Sequence, residues 1–461
     1  MAELSARTTP IEGLLVFDLP VHGDSRGWFK ENWQRSKMLR LGLPDFGPVQ
    51  NNVSFNAHPG TTRGLHAEPW DKLISVATGR IFGAWVDLRP GDGFGSCVTL
   101  EVGPETAVFV PRGVANGFQA LEADTAYSYL VNEHWSEAAR DSYTYLNLAD
   151  PTVAISWPIP LAQAEISAAD RDHPVLEQVT PMAPKRTVVV GANGQLGRAL
   201  TALLPGALPL ARPEFDLADA ASLASVPWSQ VGTIINAAAY TAVDAAETEA
   251  GRREAWQVNV AGLAGLVEVS RAHRIGLVHV SSDYVFDGTR QTHSEDEPFS
   301  PLGVYGQTKA AGDALVATLP RHWIVRTSWV IGDGDNFVAT MARLADSGVS
   351  PSVVGDQFGR LTFTADLAAG IAHLIDSGVP GGTYNLTSEG PTRSWADIAR
   401  RVFELRGRSA DDVTEVSTAA YFGDKPHAPR PAQSTLDLAK LASVGFVPGD
   451  ADDNLRRYLA G

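Results

Sequence analysis

The feature that most constrains this chain is a single change of hydrophobic pattern across residues 174–185. Before it, from Gly13 to about Trp157, short apolar or alternating runs are separated by Gly, Pro, Asp and Asn; Leu14-Leu15-Val16-Phe17 and Leu73-Ile74-Ser75-Val76 are examples. Such even spacing predicts antiparallel strands in a sandwich or a jelly-roll-like barrel. After it, apolar strands alternate with Ala/Leu-rich helical stretches, at 187–190, 195–204, 233–237, 252–272 and 276–280. That alternation predicts βαβ units and a parallel sheet covered by helices. The stretch between them carries Pro174, Pro181 and Pro184 and reads as a linker. Two domains are expected, 1–184 and 185–461, since 461 residues exceed one ordinary core.

Composition narrows the partners. A net charge of -16 opposes sequence-independent binding to nucleic acid or an anionic membrane, because both need a basic face. With 44% hydrophobic and 20% charged residues the chain reads as soluble and globular. No uncharged apolar run approaches the roughly 18 residues of a membrane span. Residues 1–15 lack the basic start, apolar core and cleavage site of an export signal. Cys97, the single cysteine, allows neither an internal disulfide nor a thiolate metal site. A cytoplasmic protein acting on a small molecule is expected.

In the C-terminal half Val188-Val189-Val190 runs into Gly191-Ala192-Asn193-Gly194-Gln195-Leu196-Gly197, and a helical stretch follows. Three spaced glycines permit a tight turn, close approach of backbone to a pyrophosphate, and close helix–strand packing, with helix N–H groups favouring the anion. Further on stand Ser281-Ser282-Asp283-Tyr284 and Tyr305-Gly306-Gln307-Thr308-Lys309. Positions i and i+4 share a helix face, so Tyr305 and Lys309 are expected to reach one ligand. The Lys309 ammonium should lower the Tyr305 pKa, and Ser282 should bond the same substrate oxygen. Such a set supplies the proton that an alkoxide needs after hydride attack on a ketone. Each feature alone has a plain alternative: a turn, a strand end, a surface helix pair.

Together with Asn236 to Asp244, Pro301 to Lys309, Arg326 to Val330, Asp356 to Gly359, and Arg430-Pro431 with Ser434, these segments resemble the extended short-chain dehydrogenase family. Within it they resemble the dTDP-4-dehydrorhamnose reductases, over about 186–459. The resemblance implies a Rossmann-type α/β domain with a smaller substrate-binding subdomain. Ser282, Tyr305 and Lys309 would be catalytic. Gly191, Asn193, Gly194, Gln195, Leu196, Gly197, Arg212, Asp216, Ala237, Ala238 and Tyr240 would hold the cofactor, with Tyr305 and Lys309. Val243, Asp244, Tyr284, Trp329 and Asn336 would lie nearer the sugar nucleotide. Arg212, without an acidic residue just before it, favours NADPH, with NADH as the alternative. Ala199 stands where the family often has Glu, so a metal-bridged dimer is not expected. Arg360-Leu361-Thr362 lacks the proline usual there, so the substrate loop should differ.

In the N-terminal half the polar residues that bear chemistry are scattered over strands. Asp24 to Glu31, Gln50 to Ser54, Arg63-Gly64-Leu65-His66, Lys72-Leu73, Val86 to Arg89, and Asp150-Pro151 with Trp157-Pro158 resemble the dTDP-4-dehydrorhamnose 3,5-epimerases, metal-free cupins, over about 13–176. The resemblance implies His66 as base, Asp170 as its orienting carboxylate, Tyr129 as acid on the opposite sugar face and Lys72 beside the enolate oxygen. Arg26, Phe29, Glu31, Gln50, Asn52 and Arg63 would hold the nucleotide. Histidine suits a base near neutrality, a carboxylate stabilises its imidazolium, and a lysine cation suits enolate charge. Asn116 replaces a family histidine expected to touch substrate; it keeps hydrogen bonds but carries no charge. No His/Glu ligand cluster is read around Leu65 to Glu68, so no metal is assigned.

The halves explain each other, since epimerisation at carbons 3 and 5 needs the carbon-4 ketone that a reductase then consumes. The joint expectation is conversion of dTDP-4-dehydro-6-deoxy-D-glucose to dTDP-L-rhamnose by a homodimer formed through the cupin domain. The alternatives are another deoxyhexose epimer or nucleotide, or a non-catalytic nucleotide-sensing subunit.

Overall fold

The computed structural model describes residues 3–460; Met1, Ala2 and Gly461, which the expected domain limits include, lie outside the described residues. The chain forms two compact units, Met1–Pro184 and Lys185–Gly461.

The first unit is built of two antiparallel sheets. One runs in the order Ser5–Thr8, Leu15–Asp18, Thr106–Val110, Lys72–Thr78, Thr125–Val131, Gln50–Asn56. The other runs Thr144–Tyr145, Thr62–Ala67, Val114–Ala120, Ile81–Asp87, Cys97–Val102. Edge strands Gln50–Asn56 and Cys97–Val102 alternate between covered and exposed residues, as one-sided strands should. Central strands Thr106–Val110 and Val114–Ala120 are buried on both faces. Ile74, Val108 and Tyr127 of the first sheet and Ile81, Trp85 and Phe118 of the second share one core cluster, which makes the unit a sandwich.

The 174–185 stretch is not a free tether. Leu176, Val179 and Met182 are buried with Leu65, Val86 and Leu148 against the outer face of the five-stranded sheet. Apolar residues at every third position let an otherwise proline-rich strap lie down on that face, which corrects the expectation of a plain linker.

The second unit contains a six-stranded parallel sheet, in the order Leu208–Leu210, Arg186–Val190, Val231–Asn236, Gly276–Ser282, His322–Thr327, Gly382–Asn385. Val188 and Val190 pack on one side with Leu263, Leu266 and Val267. Val189 packs on the other with Leu196, Leu200, Leu367 and Ile371, so helices cover both faces. A separate smaller core gathers Ile331, Val338, Met341, Phe363, Ile398 and Phe403. Strand order reverses between Arg186–Val190 and Val231–Asn236, which opens a crevice at the carboxyl ends of those strands.

Candidate active sites

In the first unit, His66 lies on strand Thr62–Ala67, cross-strand from Asn116, and Asn116 Nδ2 donates to the Tyr127 hydroxyl at 3.1 Å. Cross-strand neighbours share a face, so His66 faces the sandwich interior. Tyr127, Tyr129 and Val131 alternate onto one face, and Val131 pairs with Lys72. The interior therefore receives His66 and Asn116 from one sheet and Lys72 and Tyr129 from the other. Lys72 Nζ stands 5.6 Å from the Tyr129 ring centre.

Asp170 comes from a one-turn helix, Ala168–Arg171, capped by Ser167. Its Oδ1 lies 2.8 Å from His66 Nε2, a contact between residues 104 apart in sequence. The same oxygen lies 3.2 Å from His173 Nε2, and Oδ2 accepts the Gly64 N–H at 3.4 Å. Burial raises the Asp170 carboxyl, but the hydrogen bond and charge of His66, with the Gly64 N–H and the His173 charge, together hold the group below its ordinary value. Burial and the neighbouring His66 push His173 below the usual imidazole range. His173 was missed, and its only signal was its place three residues after Asp170. The donors of His66, Asp170 and His173 lie within 4.8 Å of one another. Folding thus assembles a His/Asp/His cluster that the text around Leu65 to Glu68 does not reveal.

Glu68 was also missed. It is buried, pairs with Lys72 at 2.6 Å and accepts the Trp70 indole N–H. Burial, then the Glu68 charge, raises Tyr129 above the ordinary phenol value, so its proton is retained at neutral pH. Asn116 is 8% exposed, and its Oδ1 has no hydrogen-bond partner among the described residues. Gln50 Nε2 donates to Asn52 Oδ1 at 2.9 Å, and Arg63 Nε donates to Asn56 Oδ1 at 3.2 Å. Arg26 and Phe29 stand on the exposed hairpin Val21–Asp24 and Gly27–Lys30, where Arg26 pairs with Asp24; Glu31 pairs with Lys37. These last three are not brought into contact with the His66 group.

In the second unit the glycine-rich turn follows strand Arg186–Val190 and opens helix Gln195–Leu203. Gly191 has φ +81°, and a Cβ there would meet Ala238 N at 2.7 Å; one on Gly197 would meet Gly191 O at 2.1 Å. Strand end, turn and helix start therefore pack backbone on backbone, and the first-turn N–H groups of Gln195, Leu196 and Gly197 head the helix. Leu196 is core beneath the loop, so only its backbone faces a ligand. Asn193 Nδ2 donates to Arg212 O at 3.1 Å, while the Arg212 side chain is exposed. Asp216 Oδ1 accepts the Ala218 N–H at 2.9 Å. Ala237 and Ala238 continue strand Val231–Asn236 into the crevice, and Tyr240 N donates to Asn259 Oδ1 at 2.8 Å.

Tyr305 and Lys309 both lie on helix Val304–Val316, and Ser282 ends strand Gly276–Ser282. The expected lowering of the Tyr305 pKa by Lys309 is not found. Lys309 Nζ instead contacts Val280 O at 2.7 Å and His279 Nε2 at 3.3 Å. Burial, followed by the Asp283 charge, drives the Tyr305 phenol well above its ordinary value, although a Ser282 hydrogen bond opposes it. Burial pushes Lys309 down to about 8, against the pull of Asp313. Ser282 Oγ donates to Asp283 Oδ1 at 2.9 Å and accepts the Tyr284 N–H at 3.2 Å. Asp283, unassigned from sequence although it adjoins Ser282, is pushed up to about 6 by burial.

Tyr284 meets Tyr305 edge to face at 5.5 Å. Asp244 is held by Arg430 at 2.8 Å and by the Ala428 N–H, and lies below its ordinary value chiefly through Arg430. Val243 is half-buried beside it. Trp329, with φ +46°, stacks on Trp395 at 3.7 Å. Asn336 caps helix Phe337–Asp346, with Oδ1 accepting Ala339 N–H and Nδ2 donating to Gly332 O and the Tyr458 hydroxyl. Its amide thus bonds within the fold on both its oxygen and its nitrogen.

A β-rich unit with an internal His/Asp pair, followed by an α/β unit with a Tyr/Lys helix above a glycine-rich turn, defines a two-domain enzyme. The chain belongs, by residues 185–460, to the family described as the RmlD substrate binding domain and, by residues 8–178, to the dTDP-4-dehydrorhamnose 3,5-epimerase family. It is 53% identical over 180 residues to a protein RmlC homolog of Streptococcus pyogenes serotype M6, covering 38% of this chain and 90% of that one. It is 38% identical over 293 residues to a dTDP-4-dehydrorhamnose reductase of Aggregatibacter actinomycetemcomitans, covering 59% and 99%. A solved dTDP-4-dehydrorhamnose reductase of Bacillus anthracis in complex with NADP is 34% identical, with a TM-score of 0.56, covering 60% of this chain and 99% of that one.

Proposed function

We propose that this chain is a bifunctional cytoplasmic enzyme that epimerises dTDP-4-dehydro-6-deoxy-D-glucose at carbons 3 and 5 and then reduces carbon 4 to give dTDP-L-rhamnose. The observation that carries the reading is the His66–Asp170 pair at 2.8 Å on the face that Lys72 and Tyr129 approach from the other sheet. Membership of two enzyme families favours catalysis over a non-catalytic sensor.

In the first unit, a metal-free cupin with residues 1–184 as its domain, His66 Nε2 is engaged by Asp170, so Nδ1 is the nitrogen that takes the carbon-bound proton. The Asp170 carboxylate stabilises the resulting imidazolium. Charge moves to the ketone oxygen, where the Lys72 ammonium donates a hydrogen bond. Tyr129, protonated because it is buried, returns a proton from the opposite face, and the configuration inverts. Gln50, Asn52, Arg63 and Asn116 would hold the nucleotide nearby. Arg26, Phe29 and Glu31 serve it in a homodimer, where a second copy would receive the exposed hairpin. Trp28 and Phe29 on that hairpin are 46% and 66% exposed, and Val53 and Phe55 on the adjacent sheet's edge strand are 67% and 60% exposed. Exposed apolar groups of this kind favour such an interface.

In the second unit, a Rossmann-type domain of residues 185–461, the close strand–helix packing at Gly191 and Gly197 and the helix start at Gln195 suit the pyrophosphate of NADPH. Bound there, NADPH supplies a hydride to the carbon-4 ketone. Tyr305 keeps its proton at neutral pH and gives it to the developing alkoxide, with Ser282 hydrogen-bonded to the same oxygen. Lys309 orients the ribose side of the site. Tyr284, Val243, Asp244 and Trp329 line the sugar-nucleotide side, and Arg212 and Asp216 adjoin the adenosine end.

The test incubates the chain with the 4-keto sugar nucleotide and NADPH in deuterated water. Deuterium at carbons 3 and 5, NADPH oxidation and the L-rhamnose configuration by NMR are expected. NADPH oxidation without deuterium, or a different epimer, would overturn the reading.

A further inference from the structure

The cluster of His66, Asp170 and His173 holds more donors than proton abstraction uses. His66 comes from strand Thr62–Ala67, Asp170 from the one-turn helix Ala168–Arg171, and His173 from the segment just after it. Both Nε2 atoms face one carboxylate oxygen, at 2.8 and 3.2 Å, and the three donors lie within 4.8 Å of one another. A tetrahedral ion with ligands at about 2.1 Å needs donors roughly 3.4 Å apart, so side-chain movement of a few tenths of an ångström fits both nitrogen–oxygen edges to one. The rings are braced in place. Tyr145 stacks on His173 at 4.6 Å and meets His66 edge-on at 5.4 Å, and the Gly64 N–H holds the second carboxylate oxygen. Side-chain exposures of 30%, 10% and 12% leave the three groups sheltered yet reachable from solvent. Two imidazoles with one carboxylate also select the metal: zinc, cobalt and nickel take imidazole nitrogen, whereas magnesium and calcium take oxygen.

We propose that His66, Asp170 and His173 form a binding site for a divalent transition metal of the zinc class, and that its occupation shuts off the epimerase. The second part rests on the epimerase reading; the first does not. In the metal-free chain the His66 hydrogen sits on Nε2, toward Asp170, and Nδ1 offers the lone pair that takes the carbon-bound proton. An ion takes a lone pair at Nε2 instead, and the ring hydrogen moves to Nδ1. The neutral ring neither gains nor loses a proton, yet the nitrogen that served as base no longer accepts one. Asp170, now a ligand, ceases to stabilise an imidazolium. His173 has no part in the reaction proposed above, and as third ligand it is what turns a base and its carboxylate into a metal site.

Binding is read first, on untagged full chain freed of metal and titrated with cobalt(II), whose visible bands report a nitrogen–oxygen site of low coordination number. One cobalt per chain should develop these bands, and zinc should displace it. His173→Gln keeps a hydrogen-bond donor beside Asp170 but removes the imidazole, and should weaken cobalt binding by more than about tenfold, the least that loss of even an outer partner of a metal site costs. His173→Phe, which keeps the aromatic stack, replaces it if circular dichroism shows His173→Gln misfolded. Bands absent from the parent chain, or of equal affinity in a folded variant, would overturn the site. Deuterium incorporation is read next. Saturating zinc should lower kcat for exchange at carbons 3 and 5 by about 10²–10⁴, the worth of a positioned base, with KM little moved because the ion lies on the Asp170 side of the ring. NADPH oxidation with pre-epimerised sugar should persist, and magnesium should change neither activity. Exchange that continues at saturating zinc, or equal loss of both activities, would overturn the shut-off. If the metal-free parent shows no exchange yet binds cobalt through His173, the epimerase reading fails and the metal site stands.

Discussion

At the scale of single residues, function turns on which protons are held and which are shared. His66 is one of two imidazoles on a single carboxylate oxygen, and His66→Ala should cut deuterium incorporation at carbons 3 and 5 by about 10²–10⁴. Turnover of pre-epimerised sugar should continue at the normal rate. Tyr305→Phe should do the reverse, lowering NADPH oxidation by about 10²–10⁴ while exchange persists, and an unchanged oxidation rate would exclude Tyr305 as the acid. Asp283 makes a stability prediction of definite sign. Its folded pKa of about 6 lies above the ordinary 3.8, so its contribution is full below about 4 and is lost as pH rises through 6. Asp283→Asn removes that loss while keeping an acceptor for Ser282. The variant's second unit should be more stable than the parent's at pH 8 by on the order of 2–3 kcal/mol, and equal to it at pH 4, as urea unfolding would read.

At the scale of elements, the glycine-rich turn works because a strand end and a helix start approach too closely for side chains. A methyl on Gly197 would sit 2.1 Å from Gly191 O, backbone that cannot swing aside. Gly197→Ala should therefore abolish NADPH binding in fluorescence titration and leave deuterium exchange by the first unit intact. A variant that binds NADPH with parental affinity would show that the turn is not the cofactor cradle. In the sandwich the comparable device is pleat parity. Tyr127, Tyr129 and the partner of Lys72 alternate along one strand, so a one-residue register slip would turn all of them away from His66.

At the scale of the whole molecule, two independent cores account for two activities on one chain. An exposed hairpin and edge strand bearing Trp28, Phe29, Val53 and Phe55 motivate a prediction about assembly. Phe29→Asp with Phe55→Asp should convert a dimer to a monomer by light scattering and impair exchange more than NADPH oxidation. A parent chain that is already monomeric would remove this basis for the homodimer.

The period of the hydrophobic pattern alone determined the two fold classes, because a two-residue repeat suits only strands and a strand–helix alternation only a covered parallel sheet. Local text also marked the glycine turn and the Tyr305/Lys309 helix, whose spacings lie within one element. Tertiary structure decided what depends on distant approach. His66 meets Asp170 and His173 across more than 100 residues. Asn336 also caps a helix, and Leu176, Val179 and Met182 pull the apparent linker onto a sheet. Charge states followed the same rule. Sequence put a lysine one turn from Tyr305 and predicted a lowered phenol, but burial raised the phenol and lowered the lysine, since desolvation depends on everything that surrounds a group and not on its neighbours in the chain.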